Sequence, residues 1–200
     1  MRSTLTLLSF FSIINIIWSQ AEYHTINVGG LGGISREYYL YVPNEVDLNT
    51  PLIFILHGYS GSASGIMNYS GFNDLAEEQN FIACYPQGTT DASGNAFWNV
   101  GYSFHSFISV DDVQFIRTLS LHITQEYNLT DYNIFSTGMS NGGDMSYLLA
   151  CQASDIIRAI APVAGCMMEW IYESCGPVFP RPVFEIHGTN DNTTWWEGDY

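Results

Sequence analysis

The pentapeptide at 138–142, with the sequence GMSNG, has the residue types and spacing with the clearest chemical potential in this chain. A serine hydroxyl is a poor nucleophile in a relaxed loop, but glycines two positions to either side allow a sharp turn that pushes Ser140 out of the fold. The apolar run at 132–137 predicts a strand before the turn, and the segment at 143–150 predicts a helix after it. This context predicts a nucleophile for acyl transfer; a glycine-rich turn that contains a serine by chance is the alternative.

Acyl transfer through serine also needs backbone donors that stabilise the oxyanion. One donor is predicted to be the N–H of Asn141, at the start of the helix after the nucleophile, where the helix dipole favours negative charge. The second is predicted to be the N–H of Tyr59, because a His-Gly-Tyr turn with little bulk at Gly58 follows the strand that ends at Leu56. His57 is structural in this interpretation, and an ordinary glycine turn is the alternative.

A carboxylate and a histidine complete a serine triad. Asp191 is the candidate acid because it follows a predicted strand at 183–187, on the carboxyl edge where open α/β sheets bind ligands; an Asx-type turn residue is the alternative. Where the nucleophile serine stands on a strand–turn–helix motif of this kind, the triad residues follow the chain order serine, acid, histidine. The five histidines all precede Asp191: His24, His57, His105, His122 and His187. We therefore expect the histidine beyond position 200, with His105 reaching the site as the alternative.

Apolar runs alternate with helical segments along the chain. This pattern is typical of a mostly parallel, doubly wound α/β sheet, which would position these residues. Strands are predicted at 22–28, 37–42, 51–56, 81–85, 132–137, 157–163 and 183–187, and helices at 73–80, 111–127 and 143–150. The stretches 86–108 and 164–181 are predicted to be loops. Asp111 and Asp112 are interpreted as helix-start residues that cap free amides, with a glycosidase-like carboxylate pair as the alternative.

Length and charge restrict the classes of protein that fit. The 200 residues suffice for one domain at 21–200, after a predicted secretory signal peptide at 1–20; a membrane anchor kept in the mature protein is the alternative. Secretion without membrane association of the mature domain is therefore expected. The formal net charge of −15 repels phosphate backbones, which argues against nucleic acid and favours a neutral substrate. The alternative explanation is that the negative charge only keeps a secreted protein soluble.

The four cysteines permit three complete pairings in an oxidising compartment, and the sequence does not choose among them. Cys84 lies within a predicted strand, which favours a buried thiol, and a bridge between Cys151 and Cys175 is the favoured pairing. The sequence has no CxxC pair and no spaced cluster of histidines and cysteines, so we expect no zinc site.

These residues resemble the secreted esterase branch of the α/β-hydrolase superfamily, which groups polyhydroxybutyrate depolymerases, feruloyl esterases and related polysaccharide esterases. The resemblance covers about 37–198 and consists of short motifs in the family's order. They are LHG at 56–58, YPQG at 85–88, WN at 98–99, VDDV at 110–113 followed by FI at 115–116, GMSNGG at 138–143, AIAPVAG at 159–165 and HGTND at 187–191.

The resemblance implies Ser140 as the nucleophile, Asp191 as the triad acid and the amides of Tyr59 and Asn141 as the oxyanion hole, with no cofactor. It places the family's histidine past Tyr200. The final helix and strand of the fold are therefore expected to lie outside this chain, and the chain by itself is expected to be inactive.

Two tryptophans are candidates for substrate binding. Trp196 follows the acid, where the family usually has small or proline-type residues, and Trp98 lies in the first long predicted loop. Either could form an aromatic wall for a phenolic or sugar-linked ester; a core or crevice-lining role is the alternative.

The resemblance thus implies a secreted serine esterase that works through an acyl-enzyme. Its substrates would be phenolic or acetyl esters of plant polysaccharide, or a polyhydroxyalkanoate-type polyester. The alternative is a non-catalytic secreted binding protein on the same scaffold, because fold alone does not establish function and this chain has no triad histidine. Which ester is used, and the oligomeric state, stay open at the level of sequence.

Overall fold

The computed structural model describes residues 20–29 and 32–198. The predicted signal peptide at 1–20 lies outside the described residues except for its last position. The strands are β1 (Glu22–Val28), β2 (Ile34–Tyr41), β3 (Leu52–Leu56), β4 (Ile82–Pro86), β5 (Thr89–Thr90), β6 (Ala96–Phe97), β7 (Ile134–Met139) and β8 (Ala159–Val163). The helices are α1 (Ala63–Ser70), α2 (Phe72–Gln79), α3 (Asp112–Glu126), α4 (Asn141–Gln152) and α5 (Glu169–Ser174).

The main sheet has six strands in the order β1-β2-β4-β3-β7-β8. Strands β4, β3, β7 and β8 are parallel neighbours, whereas β1 and β2 run antiparallel at one side. The carboxyl ends of the parallel strands meet at one edge, where open α/β sheets bind ligands. This arrangement confirms the predicted mostly parallel α/β sheet. Within the described residues, no helix is both long and apolar enough to cross a membrane.

A further extended segment at 182–186 runs parallel to β8. It is joined to β8 by hydrogen bonds from Ile160 N to Pro182 O (3.1 Å) and from Ile186 N to Pro162 O (3.0 Å). Only two isolated bridges form here, so the regular strand predicted at 183–187 is wrong in detail. Because Pro162 has no N–H, it interrupts the ladder in the middle of β8.

Helices cover both faces of the sheet, and β3 divides the core between them. Its residues Leu52, Phe54 and Leu56 pack into the cluster formed with α3 and α4. Ile53 and Ile55 point the other way, into the cluster formed with α1 and α2. Successive side chains of a strand alternate between faces, so a wholly apolar run is the pattern expected of a strand buried on both sides.

A buried ion pair joins β2 to the start of α3. Arg36 Nη2 donates to Asp112 Oδ1 at 2.8 Å, and Asp112 Oδ2 accepts from the N–H of Asn99 at 2.7 Å. Asp111 is the N-cap of α3 and accepts from Gln114 N at 2.8 Å. The interpretation of both acids as caps is therefore right for Asp111 and wrong for Asp112, whose carboxylate is turned inward toward a cation.

The predicted loops contain structure that the sequence pattern did not indicate. The stretch 86–108 includes the β5–β6 hairpin and a 3-10 turn at Ser103–His105, and the stretch 164–181 includes α5. Helix α1 was also not predicted, because the glycines and serines before it are typical of a turn. Ser62 caps this helix by accepting from Gly65 N at 3.0 Å. Elements of this length are too short to show a clear apolar period.

The structure contains a disulfide between Cys151 and Cys175, with a Cα–Cα distance of 5.5 Å. This bridge confirms the favoured pairing and ties the end of α4 to the residue after α5. Cys84 is buried in β4, as predicted.

Asp112→Asn should lower the free energy of unfolding by about 3–5 kcal/mol, because it leaves the Arg36 guanidinium buried without a counter-charge. The neighbouring Asp111→Asn is a matched control and should cost less than about 1 kcal/mol, since asparagine caps helices as well as aspartate does. Urea unfolding of the purified protein measures both values. Equal losses in the two variants would contradict this assignment.

Candidate active site

Ser140 forms a strained turn between β7 and α4. Its φ is 54° and its ψ is −122°, a backbone conformation that non-glycine residues rarely adopt. The turn is held by hydrogen bonds from Ser140 N to Val163 O (2.8 Å) and from Gly143 N to Ser140 O (2.7 Å). The side chain is half-buried, and among the described residues its hydroxyl has no hydrogen-bond partner. The oxygen of Ser140 is therefore free to meet a substrate or a base.

The two flanking glycines are required by close packing. A Cβ on Gly138 would lie 2.5 Å from the carbonyl oxygen of Gly142, and a Cβ on Gly142 would lie 2.4 Å from the carbonyl oxygen of Leu56. Neither glycine has a positive φ. The expectation that the glycines supply the turn conformation is therefore wrong in detail. Ser140 itself takes the strained conformation, and the glycines let β3, β7 and α4 approach each other.

The two predicted oxyanion donors belong to the residue after Ser140 and to the turn packed against it. Asn141 is the first residue of α4, and its backbone N–H has no acceptor among the described residues. Within the same part of the chain the N–H of Tyr59 also lacks an acceptor. A Cβ on Gly58 would lie 3.5 Å from the Cβ of Ser140, so the turn that carries Tyr59 lies directly against the serine.

His57 is locked under this turn in its neutral form. Nδ1 lies 2.8 Å from Gly58 O, which can only accept, and Nε2 accepts from Gly88 N at 2.9 Å. The ring is fully buried, and this desolvation lowers the pKa of His57. With both ring nitrogens occupied, His57 cannot take the proton of Ser140, which agrees with the structural role given to it above.

Trp98 is a core residue, so its predicted contact with substrate is wrong. The side chain has no exposed area, and Nε1 donates to His57 O at 2.9 Å. Its backbone is held by the side chain of Asn141, which accepts from Trp98 N at 2.7 Å and donates to Trp98 O at 3.0 Å. Trp196 is 55% exposed, and its ring centroid lies 6.0 Å from that of His187. A substrate role for Trp196 stays a prediction.

Asp191 lies on the same edge of the sheet as Ser140. Ser140 N bonds to Val163 O, and the next residue, Ala164, bonds through its N to Ile186 O. The segment that leads to Asp191 therefore leaves the sheet two strand positions from the strand that precedes Ser140, and this separation between strands is about 10 Å.

The carboxylate of Asp191 is arranged as an Asx turn. Its Oδ1 accepts from Thr193 N at 2.8 Å and from Thr194 N at 3.0 Å, and these bonds lower the pKa of Asp191. Its Oδ2 lies 3.5 Å from His187 Nε2. A triad acid needs local donors of this kind as well, so both interpretations of Asp191 fit this geometry and its catalytic role stays a prediction.

His187 secures the loop around Asp191. Nε2 lies 2.8 Å from Thr194 O and Nδ1 lies 3.3 Å from Glu185 Oε1. Both partners only accept hydrogen bonds, which favours the doubly protonated ring, and the bond to Thr194 is the main cause that raises the pKa of His187.

The other histidines are also engaged away from the serine. His105 Nε2 lies 3.2 Å from Asp91 Oδ2, His122 pairs with Glu126 at 3.3 Å along α3, and His24 stacks on Tyr38. Within the described residues, no histidine contacts Ser140. The triad base beyond position 200 stays a prediction.

Sequence reasoning missed Asp91 and its contact with the Tyr59 hydroxyl, which donates to Asp91 Oδ2 at 2.6 Å. Asp91 stands between threonine and alanine in a stretch predicted to be loop, and nothing local indicates its partner. Among the described residues, no group of three or more His, Cys, Asp or Glu could hold a metal ion.

Comparison with known proteins finds similar sequences among esterases. No protein-family model matches the chain. Feruloyl esterase B of Piromyces equi is 33% identical over 154 residues, which cover 76% of this chain and 28% of that protein. A bifunctional acetylxylan esterase/xylanase of Neocallimastix patriciarum is 28% identical over 80% of this chain and 22% of that protein. Feruloyl esterase D of Neurospora crassa is 27% identical over 80% of this chain and 55% of that protein.

The chain thus spans between about a fifth and just over half of the length of these curated relatives, with 22%, 28% and 55% covered. These relatives do not support the polyhydroxybutyrate depolymerase part of the expectation.

Solved structures agree on the fold. A thermostable esterase matches with a TM-score of 0.68 at 18% identity, over 89% of this chain and 48% of that one. An acetyl xylan esterase from Aspergillus awamori matches with a TM-score of 0.56 at 21% identity, over 72% of this chain and 52% of that one. The predicted α/β-hydrolase fold is confirmed.

Gly138→Ala should destabilise the protein by at least about 2 kcal/mol, because the new methyl group would overlap backbone atoms of Gly142 that cannot move without displacing α4. Gly176→Ala is the control, since a Cβ there meets nothing within 4 Å. Thermal and urea unfolding measure both variants. If Gly138→Ala were as stable as Gly176→Ala, the close approach of β7 and α4 would be disproved.

The contact of His187 with Thr194 should make stability depend on pH. Because the folded-state pKa is raised, the stabilisation is complete below the unfolded-state pKa of about 6.5 and is lost as pH rises through the folded-state pKa. His187→Gln should remove this loss. The measurement is the free energy of unfolding of both proteins between about pH 5.5 and pH 8.5. A difference between them that stays constant over this window would contradict the assignment.

Proposed function

We propose that this chain belongs to the α/β-hydrolase family that includes feruloyl and acetylxylan esterases, and that it acts in a secreted serine carboxylic-ester hydrolase. The observation that carries the proposal is the turn at Ser140. Its hydroxyl has no partner among the described residues, and its backbone is strained at a φ of 54°. The N–H groups of the next residue, Asn141, and of Tyr59, in the turn packed against the serine, lack an acceptor within the same residues.

The proposed reaction proceeds through an acyl-enzyme. Ser140 attacks the ester carbonyl, and the N–H groups of Tyr59 and Asn141 stabilise the negative charge that develops on its oxygen. Each such donor contributes about 3–4 kcal/mol to transition-state stabilisation in related chemistry. Asn141 adds the positive end of the α4 dipole. The alcohol then leaves, and water releases the acid from Ser140.

Asp191 is proposed as the triad acid, acting on a histidine beyond position 200. Its Oδ1 is occupied by two backbone donors, so the carboxylate is held in one orientation. Its Oδ2 accepts no hydrogen bond from a backbone N–H of the described residues and faces a weak 3.5 Å contact with His187. An imidazole could therefore bind this oxygen without breaking the Asx turn.

The proposed substrates are phenolic or acetyl esters of plant polysaccharide. The names of the relatives support this class. Exposed aromatic rings beside the site support it as well. Phe104 is 58% exposed, and its ring centroid lies 6.2 Å from the Tyr59 ring and 5.1 Å from the stacked Tyr102 ring. Such rings suit a phenolic acyl group or the face of a sugar.

Secretion is proposed on two grounds. The sequence of the first twenty residues is typical of a signal peptide. The bridge between Cys151 and Cys175 forms and persists only in an oxidising compartment, which favours an extracellular or periplasmic location.

A non-catalytic binding protein on the same scaffold is the second candidate. The observation in its favour is that no described histidine contacts Ser140. The strained turn argues against it, because a binding module gains nothing from a backbone conformation that costs about 1–3 kcal/mol.

In the full-length protein, Ser140→Ala should lower kcat by at least about 10³-fold, because it removes the nucleophile and leaves the binding surface intact. Ser35→Ala, on the exposed face of β2, is the matched control and should retain wild-type rates. Initial rates on methyl ferulate, acetylated xylan and short polyhydroxybutyrate measure the effect and identify the preferred ester. Full turnover by Ser140→Ala would place the nucleophile elsewhere, and an inactive wild type would favour the binding protein.

A further inference from the structure

The phenol of Tyr59 is held more firmly than its exposure suggests. The residue is 38% exposed, yet its hydroxyl donates to Asp91 Oδ2 at 2.6 Å and accepts from Asn95 Nδ2 at 3.0 Å. Water would satisfy an exposed phenol equally well, so such bonds add little to stability. Their consequence is geometric, because they fix the direction of the Tyr59 side chain and with it the backbone to which it is attached.

Asp91 is itself anchored in the turn between β5 and β6. Its Oδ1 accepts from Ser93 N at 2.8 Å and from Asn95 N at 2.9 Å, and its backbone N donates to Asn95 O at 2.9 Å. The bond from Tyr59, followed by the bond from Asn95 N, holds the pKa of Asp91 well below its usual range. The carboxylate is therefore ionised at neutral pH and accepts a hydrogen bond from the Tyr59 hydroxyl.

His105 supports the same carboxylate from inside the protein. It is 3% exposed, and its Nε2 lies 3.2 Å from Asp91 Oδ2. Within the described residues its Nδ1 is buried without a partner, which is unfavourable because the nitrogen has lost its hydrogen bond to water. An apolar side chain would fill the space beside Phe97 without this cost. Compared with an apolar side chain, the imidazole of His105 therefore contributes the hydrogen bond to Asp91.

The residues next to Tyr59 are held by backbone bonds, whereas its own N–H is not. Ser60 has a φ of 58° and donates from N to Ala96 O at 2.8 Å, and Gly61 N donates to Gly58 O at 3.0 Å. The carbonyl of the 58–59 peptide is itself anchored, because Gly58 O accepts from Gly61 N and lies 2.8 Å from His57 Nδ1. The phenol contact with Asp91 adds a second anchor to this peptide, through the side chain of Tyr59.

We propose that Asp91 is a positioning residue that aims the backbone N–H of Tyr59 at the oxyanion by holding the Tyr59 phenol, with Asn95 and His105 as its supports. The inference rests on the proposed function, because it assigns a task to one of the two proposed oxyanion donors. Donors act in the transition state only if they are aimed before the reaction, so the contact should affect kcat and leave substrate binding unchanged.

The test compares Tyr59→Phe and Asp91→Asn in the full-length protein with Tyr69→Phe as the control, a 77% exposed tyrosine on α1 whose hydroxyl takes no part in the contacts of Asp91. Both site variants should lower kcat on a soluble ester by about 10- to 100-fold, with KM within about twofold of the wild type. A boronic acid, which binds serine as a tetrahedral adduct with an oxygen in the oxyanion hole, should lose affinity by the same factor. Tyr69→Phe should change neither.

Each outcome bears on the inference. Tyr59→Phe removes one oxygen atom and keeps the ring, and Asn95→Ala removes only the second contact of the phenol, so these variants decide the question if Asp91→Asn fails to fold. Unchanged kcat in Tyr59→Phe, or a rise in KM with kcat unchanged, would overturn the inference alone. An inactive wild type, or an active Ser140→Ala, would overturn the proposed function and this inference with it.

Discussion

The site depends on the close approach of three backbone segments: the end of β3, the end of β7 and the start of α4. They meet at Gly138 and Gly142, where a single added methyl group would lie 2.4–2.5 Å from a carbonyl oxygen. Because α4 is held so near the sheet, the chain has no room for a relaxed connection, and Ser140 must take a positive φ. Burial of β7 and of the apolar face of α4 offsets this local strain.

A buried polar hub connects this turn to the loops that complete the site. His57 bridges its own turn to Gly88, Trp98 donates to the His57 carbonyl, and the amide of Asn141 clamps the backbone of Trp98. These segments have no regular ladder to satisfy their backbone groups, so side chains must do it. Neutral groups suit this task, because a buried charge would need a counter-charge that the hub does not contain. The hub explains why a fully buried tryptophan and histidine lie next to a reactive serine.

Three acidic residues of the chain hold irregular backbone in place through hydrogen bonds. Asp91, Asp112 and Asp191 each accept at least one backbone N–H on a loop or helix start, in addition to any side-chain partner. A carboxylate that accepts such bonds fixes irregular backbone, which the long connections of this fold need. These three carboxylates are a small share of the 20 acidic residues that give the formal net charge of −15.

The main strands of the sheet, helices α2, α3 and α4 and the nucleophile turn followed from the sequence, because apolar period and glycine spacing are local properties of the chain. Three of the assignments that failed were Trp98 as a substrate contact, Asp112 as a cap and 183–187 as a regular strand. Each depended on a partner distant in sequence: Asn141 for Trp98, Arg36 for Asp112 and Pro162 for the strand. The residue types at 138–142 were enough to predict a serine in a sharp turn at the edge of the sheet. Only the tertiary structure decided which loops face it, since those contacts join segments that share no local pattern.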